Sequence, residues 1–182
     1  MKKIYTLITE FLYYKPRTWR RFKVSSDMKV NDLIFAVMHL FNCEGGHLFH
    51  LSENKTNYYR GKYYTHRALI EGYEEARILD GDQYTLLELI KDEKWQATVV
   101  YDYGDNWNFR VKVESIEEVE IIPRNIPKIV NGVGYGIIED CGGPAGLDDM
   151  AKDEDIDLRS FEITCRIAPG IKHLRSLYER SD

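Results

Sequence analysis

Cysteine is scarce in this chain. Only three of the 182 residues are cysteines, Cys43, Cys141 and Cys165, and no two of them form a C-x-x-C pair. An odd number of widely spaced thiols excludes the disulfide framework that staples many small secreted domains. The same spacing excludes a structural zinc knot, which needs paired ligands.

Long apolar runs are also absent. No segment approaches the about 18 apolar residues that a membrane-spanning helix requires. The residues before Glu10 lack the apolar core of a secretory signal peptide. We therefore expect a soluble, reduced, cytoplasmic protein with no membrane partner.

An excess of positive charge is missing as well. The chain has 25 Lys and Arg against 30 Asp and Glu, a net charge of −5, which disfavours non-specific coating of DNA. The charge is uneven, however: residues 1–24 carry seven basic side chains and one acidic one, and residues 137–157 carry eight acidic side chains and one lysine. The basic side chains are candidates for phosphate contacts. The alternative is that they cover the solvent-exposed face of an edge hairpin.

What the chain does contain is enough apolar surface for one core. Hydrophobic residues make up 43% of it, and the 13 tyrosines suit a β-rich protein. We predict a single domain over residues 1–182 with an α+β fold and a mixed or mostly antiparallel sheet.

The clearest helical pattern covers residues 30–42. Its apolar residues recur at three- and four-residue spacing and form one stripe: Val30, Leu33, Ile34, Val37, Met38 and Phe41. We predict that this amphipathic helix packs on one face of the sheet. A helical appendage is predicted at about 167–181, with its helix beginning after Pro169-Gly170.

Period-2 alternation predicts the strands. The predicted segments are a hairpin of residues 4–14 and 18–24, short strands at 47–51, 58–64 and 119–123, and a central hairpin at 95–115. Prolines and glycines predict a loop over residues 123–136, and the acidic residues 153–157 predict an exposed link.

Chemistry is concentrated in the turn of the central hairpin, residues 101–107. Asp102 and Asp105 flank Gly104, so both carboxylates are able to face one cation. The structural alternative, which we favour, is that they accept hydrogen bonds from backbone N–H groups of the turn.

Acidic and imidazole side chains elsewhere extend this candidate set. We predict no cofactor and no metal; if a metal is bound, its ligands would be Asp102, Asp105, His47 and Glu139. For Glu139 and Asp140 we favour a different role, an ion pair with Arg20 or Arg21, because a desolvated Arg–carboxylate fork has good geometry.

The aromatic residues near the turn allow two interpretations. Trp19, Trp107, Tyr101 and Tyr103 would form a stacking platform for a base or a peptide if they were exposed. A tryptophan in an alternating strand is more often packed in the core, which is the interpretation we favour.

Four segments together resemble the plasmid pRiA4b ORF-3-like family. They are Lys15-Pro16-Arg17-Thr18-Trp19-Arg20-Arg21, His47-Leu48, Tyr101-Asp102-Tyr103-Gly104-Asp105-Asn106-Trp107 and Glu139-Asp140-Cys141-Gly142-Gly143. Their order and spacing agree with the family over about residues 4–150. The resemblance implies an α+β domain of unknown biochemical role, and some relatives are carried on plasmids or beside insertion elements.

The chain departs from the family pattern at three places. Relatives commonly have histidines at the positions of Phe49 and Phe109, and Cys-Pro-Pro where this chain has Gly136-Ile137-Ile138. A metal or catalytic site built from those groups would be mostly lost here. His50 is no substitute, because its side chain points to the opposite face of a strand.

These observations predict a noncatalytic binding or accessory module, linked to plasmid or mobile-element biology, with a nucleic acid or a protein as its partner. Its groove would lie between residues 101–107, residues 139–143 and the Trp-Arg-Arg strand. The competing hypotheses are a divergent metal-dependent hydrolase and a structural protein–protein interaction domain. The predicted site residues are Trp19, Arg20, Arg21, His47, Tyr101, Asp102, Asp105, Trp107, Glu139 and Asp140.

Overall fold

The structure is a computed structural model, and it describes residues 1–15, 17–54, 61–70, 77–152 and 166–179. Within these residues the alternating segments form one sheet of eight strands. In chain order they are β1 (Lys2–Phe11), β2 (Trp19–Ser25), β3 (Phe49–Ser52), β4 (Tyr63–Thr65), β5 (Ile78–Asp80), β6 (Gln96–Tyr101), β7 (Trp107–Val119) and β8 (Lys128–Val133).

The sheet is mixed, and its order is β5-β4-β3-β6-β7-β1-β2-β8. Neighbouring strands run antiparallel, except that β4 and β5 are parallel. Four α-helices accompany it among the described residues: α1 (Val30–Leu40), α2 (Leu86–Leu89), α3 (Gly143–Met150) and α4 (Ile167–Tyr178). None of these described helices is long and apolar enough to cross a bilayer. The predicted α+β class is confirmed.

The core lies between one face of the sheet and α1. Phe41, just past the end of α1, stacks on Phe109 of β7 with ring centroids 4.4 Å apart, and Phe35 of α1 meets Phe49 of β3 edge-on at 5.4 Å. The predicted amphipathic helix and its packing face are therefore correct. We call this covered face of the sheet the inner face.

The helix α1 is buried on more than its predicted stripe. Asn31, Phe35 and Ala36, which lie off the stripe, have no exposed surface. Phe35 is covered by α4, where Tyr178 stacks on it with centroids 5.8 Å apart, and Asn31 lies against Gly81, where a Cβ would stand 2.2 Å from its Oδ1. A helix enclosed between a sheet and a second helix keeps little exposed surface that must be polar.

The predicted strand at 119–123 and the predicted loop at 123–136 are wrong. β7 runs on to Val119, and residues 128–133 form β8 instead of a loop. Strand β8 pairs with β2 at the end of the sheet order. An edge strand tolerates nearby proline and glycine because one side of its backbone needs no strand partner.

The C-terminal helix begins earlier than its sequence pattern suggested. It begins at Ile167, so Pro169 lies inside its first turn, where the missing N–H has no helical partner to lose. Gly170 then allows close approach to α1, because a Cβ there would stand 2.1 Å from the ring of His39. Predictions for residues 58–60, 153–157 and 180–181 fall outside the described residues.

Arg20 has an unexpected role in this fold. It lies on the inner face of β2 with no exposed surface. Its guanidinium donates to the backbone carbonyl oxygens of Leu40 at 2.9 Å, Val133 at 2.7 Å and Tyr135 at 2.8 Å. It also stands 4.8 Å from the centre of the Phe41 ring. A single side chain thus joins β2, the end of α1 and the end of β8.

Arg21 points to the opposite face of β2. It pairs with Glu114 of β7 at 2.6 Å, and both side chains are about one-third exposed. The predicted ion pair of Arg20 or Arg21 with Glu139 or Asp140 is therefore wrong. The sequence could not reveal the partners of Arg20, because they are backbone carbonyl groups, which every residue has.

We expect the two neighbouring arginines to differ sharply in their contribution to stability. Arg20→Ala should lower the free energy of unfolding by about 3 kcal/mol or more, because three carbonyl groups each lose a donor at about 1 to 3 kcal/mol. Arg21→Ala, the matched control, should cost less than about 1 kcal/mol. Urea denaturation of both variants measures the difference, and equal losses would contradict this account of Arg20.

Candidate functional site

Asp102 holds the turn between β6 and β7. Its Oδ1 accepts hydrogen bonds from the backbone N–H of Gly104 at 2.9 Å and of Asp105 at 3.4 Å, so the structural role we favoured for it is present. Its backbone N–H donates to Leu48 O at 2.9 Å, which ties this turn to the residue after His47. The second oxygen, Oδ2, faces His47.

Asp105 serves a different turn. Its Oδ2 accepts a hydrogen bond from the backbone N–H of Gly142 at 3.3 Å. Gly143, at φ +72°, packs against the same residue: a Cβ there would stand 2.4 Å from Asp105 O. The two predicted turns, residues 101–107 and 139–143, therefore do meet in space, as the predicted groove requires. Asp105 joins the two turns and is not among the residues whose ligand atoms converge near His47.

Glu139 joins this pair of turns to the segment that follows α1. Its Oε1 accepts hydrogen bonds from the backbone N–H of Glu44 at 2.7 Å and from the Tyr101 hydroxyl at 2.8 Å. The Tyr101 oxygen in turn accepts from the buried N–H of Gly45 at 3.0 Å. These three bonds fix the segment 43–47, and so they fix where His47 lies.

The result is one imidazole surrounded by three carboxylates. His47 Nε2 lies 3.5 Å from Glu139 Oε2 and 3.5 Å from Asp140 Oδ1, and its Nδ1 lies 3.7 Å from Asp102 Oδ2. These separations exceed those of good hydrogen bonds. We call these four residues the His47 cluster.

Burial within the cluster is graded. The Asp102 and Glu139 side chains are 10% and 12% exposed, His47 is 35% exposed, and Asp140 is 80% exposed. The cluster is therefore closed on the protein side and open to solvent beside Asp140. A ligand has access from that side.

Glu139 Oε2 is the most informative atom of the cluster. It is buried and has no hydrogen-bond partner among the described residues, whereas Oε1 of the same carboxylate has two donors. An unpaired buried carboxylate oxygen is costly, and a positive charge beside it removes that cost. Ligand atoms of His47, Asp102 and Glu139 all lie within 4.8 Å of one another, which is compatible with one metal ion.

The groups behind the cluster, Tyr101 and Cys43, have raised pKa values. Burial, and then the hydrogen bond to Glu139, raise the pKa of Tyr101 far above its ordinary value. Burial and the nearby Glu139 carboxylate likewise raise the pKa of the Cys43 thiol well above its ordinary value. Both groups stay protonated at neutral pH, so nucleophilic catalysis from them is not favoured.

The other predicted site residues lie outside the cluster. Trp107 is fully buried and meets Phe11 at 5.4 Å, so the core interpretation is correct for it. Trp19 is half-buried beneath the guanidinium of Arg21, which stands 5.6 Å from its ring. With Arg20 bound to backbone carbonyls, the Trp-Arg-Arg strand contributes support to the cluster and no ligand atom.

The two positions at which the resemblance implies histidines in relatives are core positions here. Phe49 and Phe109 are buried on the inner face. His50 points to the other face, as predicted, where its Nδ1 is 2.7 Å from the Tyr103 hydroxyl. His47 is therefore the one imidazole of the cluster among the described residues. Tyr178, which contacts the segment 43–47, was missed because no local pattern marks it.

Removing the Tyr101 hydroxyl should loosen this arrangement. Tyr101→Phe should lower the free energy of unfolding by about 1 to 3 kcal/mol, because the buried Gly45 N–H loses its acceptor and Glu139 loses a donor. Tyr135→Phe is the matched control. It should lower the free energy of unfolding by less than about 0.5 kcal/mol, since that side chain is exposed. Chemical denaturation measures both, and a loss as small in Tyr101→Phe as in the control would contradict this role.

Comparison with known proteins identifies the family of this chain. No curated protein matches the chain. The fold is similar to the crystal structure of a protein of unknown function from Methanosarcina mazei Go1, with 22% identity and a TM-score of 0.73, covering 90% of this chain and 96% of that one. The family model described as plasmid pRiA4b ORF-3-like protein matches residues 3–157. The chain therefore belongs to the plasmid pRiA4b ORF-3-like family.

Proposed function

We propose that this protein is a binding module for a divalent transition-metal ion, which it holds at the His47 cluster. The observation that carries the proposal is the buried Glu139 Oε2, which accepts no hydrogen bond from the described residues and lies 3.5 Å from His47 Nε2. A metal ion between these two atoms would satisfy both. This choice departs from our expectation of no metal and keeps the expectation of a noncatalytic module.

The two sides of the imidazole have different roles in this proposal. A neutral imidazole ligates a metal through one nitrogen and donates a hydrogen bond through the other. Nε2 faces two carboxylates, Glu139 and Asp140, whereas Nδ1 faces Asp102 alone. We therefore place the ion on the Nε2 side, with Asp102 holding the Nδ1–H and orienting the ring.

The ligand types select among cations. Magnesium and calcium prefer oxygen ligands only, whereas zinc and manganese accept an imidazole together with carboxylates. The formal charge of the surrounding carboxylates also favours a divalent ion. We therefore expect the site to bind zinc and manganese well and magnesium poorly.

A second candidate function, metal-dependent hydrolysis, is favoured by the exposure of Asp140. A metal ion held on that side would keep coordination positions open to water, as catalytic metal sites do. A nucleic-acid partner is less favoured, because basic side chains of the N-terminal hairpin pair with carboxylates, such as Lys23 with Glu117 at 3.7 Å. A plasmid or mobile-element link is supported by the family description alone.

Metal binding should follow the cluster residue by residue. After chelator treatment, calorimetric titration of the wild type should show about one zinc or manganese ion bound per chain and weak magnesium binding. Glu139→Gln should lose more than about 100-fold in affinity, and Asp102→Asn about 10- to 100-fold, as for residues that orient a ligand. Asp105→Asn is the matched control, because Asp105 bonds Gly142 in the same pair of turns.

Three outcomes decide between the proposals. Absence of binding in the wild type, or equal losses in Asp105→Asn and Glu139→Gln, would overturn the metal site. Turnover of p-nitrophenyl phosphate or acetate that requires the metal and disappears in Glu139→Gln would establish the hydrolase instead. Metal binding without turnover on these probes supports the binding module.

A further inference from the structure

The helix α4 contacts the segment that carries His47. The Tyr178 hydroxyl, at the last residue of α4, donates to the carbonyl oxygen of Gly45 and has the carbonyl oxygen of His47 at 3.2 Å. The backbone of His47 is thus held from α4 while its side chain faces the carboxylates. The family model matches residues 3–157, so α4 lies beyond the matched region.

The segment 43–47 is held between two phenols. Tyr101 accepts from Gly45 N on one side, and Tyr178 donates to Gly45 O on the other. Gly45, at φ +90°, lies so close to α4 that a Cβ there would stand 2.7 Å from Leu174 and 2.9 Å from Leu177. This contact leaves little freedom for the chain that leads into His47.

The helix α4 is itself anchored by one arginine. Arg175 donates to Asp32 of α1 at 2.6 Å and to Asp82 at 2.8 Å. All three side chains are about one-quarter exposed or less, so solvent screens them only in part. Tyr178 is further fixed because its ring meets Phe49 edge-on at 5.1 Å.

We infer that Tyr178 is a positioning residue for the cation site and that docking of α4 and metal binding are coupled. This inference rests on the proposed function. When α4 is docked, the Tyr178 hydroxyl holds the Gly45 and His47 carbonyls and so keeps the imidazole directed at Glu139. By thermodynamic linkage, metal binding must then stabilise docking of α4 by the same factor.

The sharpest test removes one oxygen atom. Tyr178→Phe keeps the ring against Phe49 and removes only the hydroxyl, and it should weaken zinc binding by about tenfold, the range for a residue that orients a ligand. Ser176→Ala is the matched control on the same helix, because that hydroxyl bonds only to His173 O within α4 among the described residues. It should bind zinc as the wild type does.

Hydrogen exchange tests the coupling independently of the zinc affinities. In the wild type, zinc should slow amide exchange in residues 167–178 as well as in residues 43–47, and it should do neither in Glu139→Gln. In metal-free protein, Tyr178→Phe should speed exchange in residues 43–47.

The results separate this inference from the proposed function. If Tyr178→Phe binds zinc as tightly as the wild type does, the coupling is overturned and the metal site stands. The same holds if zinc slows amide exchange in residues 43–47 only. Absence of zinc binding in the wild type would overturn both.

Discussion

The candidate site depends on how the last carbonyl groups of α1 are satisfied. A helix end leaves carbonyl oxygens without helical partners. Here Leu40 O accepts from Arg20 Nε at 2.9 Å, and Phe41 O accepts from the backbone N–H of Ile137 at 2.9 Å. The second bond brings the chain leading to Glu139 beside the segment that leads to His47. Two distant parts of the sequence thus meet because one helix end needs donors.

Much of this arrangement is readable from the sequence. Alternation favoured a core position for Trp107, and three-four spacing placed α1 on the sheet. Of the predicted metal ligands, His47, Asp102 and Glu139 do converge. Local pattern sufficed for these because burial of apolar surface decides which face of a strand or helix turns inward, and the turns then follow from the strands.

The rest was beyond local pattern for specific reasons. Asp102 and Asp105 are the same residue type in one turn, but Asp105 bonds the distant Gly142, a partner that the local sequence does not reveal. The partners of Arg20 are backbone carbonyl groups, so no acidic residue in the sequence predicts where its side chain binds. The contact of Tyr178 with residues 45 and 47 spans more than 130 positions and depends on how α4 docks.

The departures that the resemblance implies at positions 49, 109 and 136 fit a site with a single imidazole. Positions 49 and 109 lie on the inner face, and Phe109 there stacks on Phe41 at 4.4 Å. Gly136 is equally committed, since a Cβ at that position would stand 2.5 Å from Phe41 O. Phe109 and Gly136 serve the packing of the end of α1, and Phe49 packs against Phe35 in its middle. In the proposed site, Glu139, Asp140 and His47 remain to meet the ligand. A site with one nitrogen and mostly oxygen donors shifts preference toward the harder divalent transition metals, so manganese should compete with zinc better here than at a site rich in histidine.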